Sequence, residues 1–510
     1  MFQPSWPIVL TILSALLVGC ATSSIEMAPD QPDRPWVPAT NAAGEIIPGG
    51  KAPPEQAAGA TFLLPANSEL AEVPSPFGLD HTRTHSFSLA DLIDIAQSNN
   101  PLTRSAWNRA RDVALAAGIA KSTYLPRLTA AAIGGYQLSQ IAGPLGTTAT
   151  NELRGTISLV SFEWLLFDFG ERAALVEAAN QASVISNIGF TAAHQQLIYD
   201  VSLAFYANAA ARARVGNAVQ SLKNAKSVQA AAENRMKRGI GTAIEVAQAR
   251  QATAQARLVM IQATGAAQNA YLTLISAMGI SPLTQIKVAG VSDRRLSPEL
   301  AGSAERVISA ALARRPDILA AYAAQKASLA GVRAAEAEFL PKVFVAGTGS
   351  YNKGTLSVSG VPSIGNLSPT LNLSPKGFGS TVLAGVTVPV FDGGTRAAIL
   401  EQAQTKADNA GLALTRSRDE AVRQIVLANN ALRTSLSAYS AATAVATAAK
   451  TTFDAALAAY RSGVGSITDA TMAETQLLQA KNASTDAYST ALSAAAALAL
   501  STGSLGAPLQ

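Results

Sequence analysis

Two long stretches without proline constrain this chain more than any other feature of its sequence. No proline occurs between Glu171 and Arg238, or between Thr395 and Arg461. In the first stretch, small and apolar residues follow alternating steps of four and three, which is the pattern of a coiled-coil seam. The pattern predicts helices of about 100 Å, at 1.5 Å per residue. The seam positions are Ala204, Asn208, Ala211, Val215, Ala218, Leu222 and Ala225.

The two stretches belong to an internal duplication. Phe167-Asp168-Phe169-Gly170 recurs 224 positions later as Phe391-Asp392-Gly393-Gly394, and Gly239-Ile240-Gly241 recurs at the same distance as Gly463-Val464-Gly465. Upstream landmarks recur after 215 positions instead. The difference of nine residues indicates loops of unequal length, predicted at 138–153 and 352–378, and a helical scaffold whose register is kept. The upstream landmarks are Pro101, Leu125-Pro126 and Tyr136, matched by Pro316, Leu340-Pro341 and Tyr351.

Each copy is predicted to run helix, strand, strand, helix, helix. Apolar residues alternate in four segments, for example at Val160, Phe162, Trp164 and Leu166. A strand of about ten residues with one apolar face suits a transmembrane barrel and also a half-buried soluble sheet, and alternation does not separate the two. The predicted strands are 127–137 and 154–167 in the first copy, and 342–351 and 380–391 in the second.

Four strands cannot close a membrane barrel on their own. The smallest bacterial barrels have eight strands, and an open edge in lipid leaves backbone groups without partners. In a membrane, several chains must therefore pool their strands. Two chains would give a filled eight-stranded barrel, whereas three would give twelve strands and a lumen. The hypothesis that follows is a trimer or a larger assembly.

The N-terminus carries the pattern of a sorting signal. An apolar run over 7–19 has the length of a secretory signal region and is too short to span a bilayer. Leu17-Val18-Gly19-Cys20 resembles the lipobox of bacterial lipoproteins, in which the cysteine carries a covalent lipid. We therefore predict a signal peptide over 1–19 and lipidation of Cys20. The alternative is a cysteine buried by chance.

A proline-rich segment follows the lipobox. Residues 21–80 hold ten prolines, a density that disfavours both helix and sheet ladder. We predict a lipid-anchored, extended tether over 20–85.

Composition excludes several classes of function. One Cys rules out a disulfide framework and a multi-Cys metal site, and three His leave little room for metal catalysis. The net charge of +5 is spread along the chain, so no nucleic-acid footprint is visible. The sequence has no phosphate-binding glycine loop with Lys, no nucleophile elbow and no Cys/His cluster. We expect no enzyme, no cofactor beyond the lipid at Cys20, and no bound metal.

The order of these features resembles the TolC-like outer-membrane efflux proteins, over about residues 86 to 502. The motifs that carry the likeness are Asn100-Pro101, Arg314-Arg315-Pro316-Asp317, Leu340-Pro341, Phe391-Asp392-Gly393-Gly394 and Tyr460-Arg461-Ser462-Gly463. The resemblance implies a homotrimer with a twelve-stranded outer-membrane β-barrel continuous with a periplasmic tunnel of twelve long helices.

The resemblance also implies a function and partners. Such a protein is the passive exit duct of a tripartite pump, and works with a periplasmic adaptor and an inner-membrane pump. The lipobox resembles the branch of the family associated with resistance-nodulation-division (RND) pumps. The implied layout is a first repeat over 86–278, an inter-repeat segment over 279–302, a second repeat over 303–502, and a tail over 503–510. Their helical hairpins are expected at about 170–278 and 394–500.

The hairpin tips hold the candidate functional residues. Glu245 and Asp469, 224 positions apart, each follow a glycine turn. By resemblance they ring the periplasmic mouth, where converging carboxylates attract cations; alternatively, they only complement the positive N-terminus of a helix. Arg461, Arg238 and Lys237 are nearby candidates for a cationic partner. The turns predicted to contact the adaptor are Gly239, Ile240, Gly241, Thr242, Gly463, Val464, Gly465 and Ser466.

A second class of function stays open. A structural coiled-coil lipoprotein of the periplasm or cell surface would have the same helices, with its strands in water rather than in lipid.

Overall fold

A computed structural model describes most of the chain. The residues it describes are 28–29, 32–33, 35–51, 62–72, 75, 86–142, 148–291, 304–354, 358–359, 370–371 and 376–505. They divide into two units, Met1–Phe77 and Gly78–Gln510. The predicted signal peptide and Cys20 lie outside the described residues.

The first unit contains a small hairpin. Strands β1 (Pro38–Thr40) and β2 (Ile46–Lys51) pair antiparallel. In the turn between them, the side chain of Asn41 accepts hydrogen bonds from the N–H groups of Ala43 and Glu45. We predicted no sheet ladder in the tether, and this hairpin corrects that prediction. Proline is tolerated because each strand of a two-stranded sheet has an open edge, where a missing N–H costs nothing.

Eight α-helices are described in the second unit. Two of them, α3 (Glu171–Lys237) and α7 (Thr395–Ser462), contain 67 and 68 residues and are therefore about 100 Å long. Each copy begins with two helices rather than the one predicted, because a short helix, α1 (Leu89–Asn99) or α5 (Ala304–Leu312), precedes the proline-initiated one. No described helix has both the length and the apolar character needed to cross a membrane. The helices are α1 (Leu89–Asn99), α2 (Pro101–Ser122), α3 (Glu171–Lys237), α4 (Ala243–Ala277), α5 (Ala304–Leu312), α6 (Pro316–Ala337), α7 (Thr395–Ser462) and α8 (Ile467–Ser501).

The long helices pack through small residues. Helix α3 contacts α2, α4, α6 and α8, and its Ala218, Ala225 and Ala232 are almost fully buried. Alanine lets backbones approach closely but buries little apolar area per residue, so the great length of the contact supplies the stability.

Equivalent joints connect the helices of each copy. The side chain of Asn100, just before α2, donates to the carbonyl oxygen of Ala277 at the end of α4, with an N–O distance of 3.0 Å. In the second copy, Arg315 precedes α6 and donates to the carbonyl of Ser501, at the end of α8, over 2.7 Å. The start of each proline-initiated helix is therefore fastened to the end of a returning helix.

Both copies contribute to a single antiparallel sheet. Its strands, in the order in which they pair, are β4 (Arg127–Ala142), β5 (Thr148–Phe167), β7 (Lys342–Gly354) and β10 (Lys376–Thr387). The other described strands are short: β3 (Ser86–Phe87) and β6 (Lys287–Val288), which pair in parallel, and β8 (Val358–Ser359) and β9 (Thr370–Leu371).

The two faces of this sheet differ. One face presents large apolar side chains that are exposed in the single chain, and we call it the apolar face. The other buries Ile157, Leu159, Ala346 and Ser350. Residues of the apolar face include Leu128, Tyr136, Val160, Trp164, Tyr351, Phe378, Val382 and Val386.

Strand ends depart from the predicted ones. In the first copy, residues 138–153 were predicted to form a loop, yet β4 continues to Ala142, which pairs with Thr148. In the second copy, β10 ends at Thr387 rather than at residue 391. Its partner Lys342 begins β7, and Pro389 has no N–H with which to extend a ladder.

The strands pass into the long helices through two elbows, Asp168–Arg172 and Asp392–Arg396. In each elbow the Asp carboxylate accepts hydrogen bonds from backbone N–H groups two and four residues later. The same carboxylate pairs with the Arg side chain, at 2.7 Å in the first elbow and 3.3 Å in the second. Each guanidinium lies over an aromatic ring, Tyr124 or Phe339, and these rings are 215 positions apart.

Candidate functional site

The two hairpin turns have nearly the same backbone. Helix α3 is followed by Gly239 with φ of 76°, and α7 by Gly463 with φ of 91°, a left-handed conformation that glycine adopts without strain. The returning helices are both capped by a hydroxyl. The side chain of Thr242 accepts from the N–H of Glu245, and that of Ser466 accepts from the N–H of Asp469.

The second glycine of each turn is required by packing. A Cβ atom on Gly241 would lie 2.8 Å from the backbone nitrogen of Met236, and one on Gly465 would lie 3.0 Å from the Cβ of Ala459. Substitution there would disturb the hairpin itself, so these glycines do not serve as clean probes of a contact surface.

Apolar side chains project from the turns. Ile240 and Val464, at equivalent positions, are exposed by 59% and 86%. Ile244, one turn of helix later, is also exposed. An exposed apolar patch on a hairpin end is typical of a surface that contacts another protein.

Asp469 lies within its own helix cap. Its carboxylate accepts from the hydroxyl of Ser466 at 2.7 Å and from the N–H of that residue at 3.4 Å. This capping box satisfies N–H groups at the start of α8. The side chain of Asp469 is exposed beyond these bonds, so it can present charge to the surrounding water.

Glu245 instead belongs to a polar cluster that joins the two hairpins. The hydroxyl of Tyr460, on α7, donates to Oε2 of Glu245, on α4, at 3.3 Å. The same oxygen lies 3.9 Å from Nε of Arg235, on α3. We call these three residues the tip cluster.

Arg235 is the centre of the tip cluster. It is 9% exposed and donates to the carbonyl oxygens of Tyr460 and Ile240, at 3.1 and 3.3 Å. Its guanidinium lies 5.0 Å from the centre of the Tyr460 ring, within the range of a cation–π contact. One guanidinium thus holds the end of α7 and the first turn together.

Tyr460 anchors the cluster to the apolar core of the tips. It is fully buried and packs with residues of both hairpins, including Val246, Phe453 and Ile467. Burial, together with the charge and hydrogen bond of Glu245, raises the pKa of Tyr460, although Arg235 opposes the shift. The phenol therefore stays protonated and can donate to Glu245.

Sequence reasoning found the carboxylate of this cluster but not its partners. The residue 224 positions after Arg235 is Ala459, and the residue 224 positions before Tyr460 is Met236. Neither Arg235 nor Tyr460 therefore has an equivalent in the other copy. A search for repeats selects what the copies share and passes over such residues. The signal that could have found Arg235 and Tyr460 was that the two copies differ at these positions, next to a turn that both copies share. In the described structure Arg235, not Arg461, Arg238 or Lys237, lies beside Glu245.

The tips offer no catalytic or metal-binding arrangement. Within the described part of the chain, no group of three His, Cys, Asp or Glu side chains lies where it could hold a metal ion. The polar contacts described at the tips join the two hairpins.

Comparison with known families agrees with this architecture. The family described as outer membrane efflux protein matches residues 92–280 and 307–504, one match for each copy of the duplication.

Individual relatives are similar over most of the chain. Outer membrane protein OprJ of Pseudomonas aeruginosa is 28% identical over 74% of this chain and 75% of its own. Protein CyaE of Bordetella pertussis is 27% identical over 66% of this chain and 67% of its own. The crystal structure of the outer membrane protein VceC from Vibrio cholerae has the same fold. Its TM-score is 0.66 at 20% identity, covering 81% of this chain and 96% of that one.

Proposed function

This chain belongs to the outer membrane efflux protein family, whose members are channels rather than enzymes, and we propose that it is the passive exit duct of a tripartite efflux or export system. The observation that carries the proposal is the four-stranded sheet. Its outer strands β4 and β10 each pair with one neighbour in the described structure, and its apolar face is exposed. The same chain continues from this sheet into helices of about 100 Å.

A homotrimer would complete the channel. Three copies pool twelve strands, pair the open edges of β4 and β10, and direct the apolar faces to outer-membrane lipid. The helices would extend into the periplasm as a tunnel, where a periplasmic adaptor and an inner-membrane RND-type pump meet the tips. Cys20 would carry the lipid that adds an anchor.

The tips would form the resting gate. Three copies bring three Glu245 and three Asp469 carboxylates toward one axis, and the tip cluster holds each pair of hairpins in its closed arrangement. Contact with the adaptor and pump would separate the hairpins and open the duct.

The test of the gate is single-channel recording in a planar bilayer. Glu245→Ala with Asp469→Ala should raise conductance, reduce preference for cations, and weaken block by a trivalent cation added on the periplasmic side, since the charge at the mouth is lost. Asp454→Asn, which removes an exposed carboxylate of α7, is the control and should change none of these. Unchanged conductance, selectivity and block in the double variant would place the gate elsewhere.

The adaptor contact is tested at the exposed apolar turns. Ile240→Asp and Val464→Asp keep the turn glycines, so the hairpins should fold and trimers should reach the membrane while export falls. Normal export from both variants would remove these turns from the interface.

The anchor is tested separately from the barrel. Cys20→Ser behind a cleavable signal should leave most protein inserted, because a lipid anchor holds a protein to the membrane less firmly than a closed membrane-spanning barrel does. Membrane fractionation and gel migration with and without boiling measure this. A fully soluble variant whose migration does not depend on heating would favour the structural coiled-coil lipoprotein instead.

A further inference from the structure

A recess with a single charged residue lies between α3, α4 and α8, a few helical turns from the tips. We call it the Glu474 groove. Its volume is about 420 Å³, and most of its wall is apolar or small, with Ala225, Val228, Ala256, Val259 and Leu478 among the lining residues. Pockets of this size and character are typical of sites for small molecules.

Glu474 is a buried acidic residue in this groove. It is 8% exposed, and its Oε1 has no hydrogen-bond partner in the described structure. Ser221 lines the same groove, but its hydroxyl makes no hydrogen bond of normal geometry either. A buried carboxylate with an unbonded oxygen and no cation beside it is costly, and in most proteins such a group is paired or stays protonated.

No basic residue of the groove offers that pairing. Of the described residues that line it from α3, α4 and α8, Glu474 alone is titratable. The position equivalent to Glu474 in the first copy, 224 residues earlier, is Arg250, and its side chain is paired with Glu233. Arg235 is engaged in the tip cluster. No positive charge among the residues that line the groove therefore balances an ionised Glu474.

We propose that the Glu474 groove binds small organic cations, with the cationic group against the Glu474 carboxylate and the apolar body along the walls. Such a ligand supplies the missing charge and buries apolar surface at the same time. An anion would meet an uncompensated carboxylate, and a neutral apolar molecule would leave that carboxylate unpaired. The lining of the recess is small beside the continuous surface of about 800 Å² per partner that a docking protein needs.

This inference goes beyond the proposed duct and does not depend on it. A duct conducts without specific sites in its walls, whereas the groove would hold a defined class of molecule at a defined carboxylate.

The test is a binding measurement on the full-length protein in lipid nanodiscs. Benzyltrimethylammonium is the probe, neopentylbenzene is its neutral isostere, and benzenesulfonate is the anionic comparison. Calorimetry or ligand-observed NMR should show saturable binding of the cation alone. Glu474→Gln keeps the shape of the side chain and should weaken cation binding by about tenfold or more, because the electrostatic attraction between the carboxylate and the quaternary ammonium is lost. Asp454→Asn removes an exposed carboxylate of α7 that pairs with Lys450, and should leave binding unchanged.

A second measurement uses pH. Burial raises the pKa of Glu474, and the Ser221 hydroxyl opposes this shift. Below that raised pKa the carboxyl is neutral, so cation affinity should fall by up to tenfold per pH unit on acidification, and the Glu474→Gln variant should show no such dependence.

Four outcomes would overturn the proposal: no saturable binding, equal binding of the neutral isostere, unchanged affinity in Glu474→Gln, or binding of a basic helical peptide but not of benzyltrimethylammonium. The last outcome would assign the groove to a protein partner. Because conductance is recorded independently, failure here is distinguishable from failure of the channel proposal.

Discussion

The elbows and the tips are the two ends of the same long helices, and the two copies of the duplication agree at one end and differ at the other. At the elbows both copies keep an Asp–Arg pair, an aromatic ring beneath the guanidinium, and the same backbone hydrogen bonds. At the tips both copies keep the glycine turn and a hydroxyl cap, but the tip cluster exists once. Each elbow turns the chain from strand to helix within its own copy, so both copies need one. The tip cluster joins the two copies, so it exists once.

Even the elbows are not equal. In the first, the Arg172 and Asp168 side chains are 8% and 6% exposed, and Arg172 also donates to the carbonyls of Thr123 and Leu165. In the second, the Arg396 and Asp392 side chains are 17% and 29% exposed. Removing one member of a buried pair costs far more than removing one member of a partly solvated pair.

The largest effect is therefore expected at the first elbow. Arg172→Ala should lower the free energy of unfolding by about 3–5 kcal/mol, because it leaves Asp168 buried without its cation. Arg396→Ala should cost about 1 kcal/mol. Chemical unfolding of the purified protein, followed by circular dichroism, measures both. Equal losses would show that the elbows are equivalent despite their different burial.

Acid should reduce the difference between the elbows. Burial tends to raise the pKa of Asp168, but the N–H and guanidinium of Arg172 outweigh it and hold that pKa below its ordinary value. The stabilisation is thus complete above the pKa of the unfolded state, about 4, and is lost as pH falls through the lower folded-state value. The difference in stability between the wild-type protein and Asp168→Asn should therefore begin to shrink as pH falls below about 4. A constant gap down to pH 2 would contradict this.

Stability of the tips should depend on Arg235 and not on the nearby Arg461. Arg235→Met removes the guanidinium that bonds two carbonyls and faces Glu245, and should cost about 2 kcal/mol. Its effect should also be seen as raised single-channel conductance. Arg461→Met is the matched control, since Arg461 is exposed at the end of α7. If both variants opened the channel equally, general loss of positive charge at the tips would be the cause.

Tyr460→Phe should have a smaller effect than Arg235→Met. It removes the 3.3 Å hydrogen bond to Glu245 while the ring stays packed, and should cost about 1 kcal/mol. Hydrogen exchange of the turn amides is the measurement. Exchange that accelerates in the second turn but not near Glu245 would contradict a role in joining the hairpins.

The caps should show the smallest difference, because in both copies a hydroxyl accepts from the N–H group three residues later. Ser466→Ala and Thr242→Ala each remove one hydroxyl cap and should cost about 1 kcal/mol. The two losses should match within a few tenths of a kcal/mol. A much larger loss for Ser466→Ala would mean that its bond to Asp469 does more than cap the helix.

Local features were the predictable ones. The glycine turns and the starts of the returning helices follow from residues next to one another in sequence, so a spacing of 224 was enough to find them. The strand end at Thr387 depends on where Lys342 begins the partner strand, which sequence position does not give, although Pro389 was a signal available in the sequence. The contact between Arg235 and Tyr460 joins positions 225 residues apart that have no repeat equivalent. The hairpin near Asn41 was missed because proline density outweighed a local side-chain turn.

The joints at Asn100 and Arg315 give the molecule a mechanical asymmetry. Helices α3 and α7 are unbroken rods, whereas α4 ends beside the start of α2 and α8 ends beside the start of α6, and each of these contacts includes a side-chain bond to a carbonyl. A rod of 35 residues extends about 50 Å from the joint to the tip. Force applied at a tip should therefore turn α4 or α8 about its joint. The unbroken helices α3 and α7 beside them should limit the extent of this rotation. A lever of this kind can move the tips by several ångströms while the sheet at the other end keeps its register.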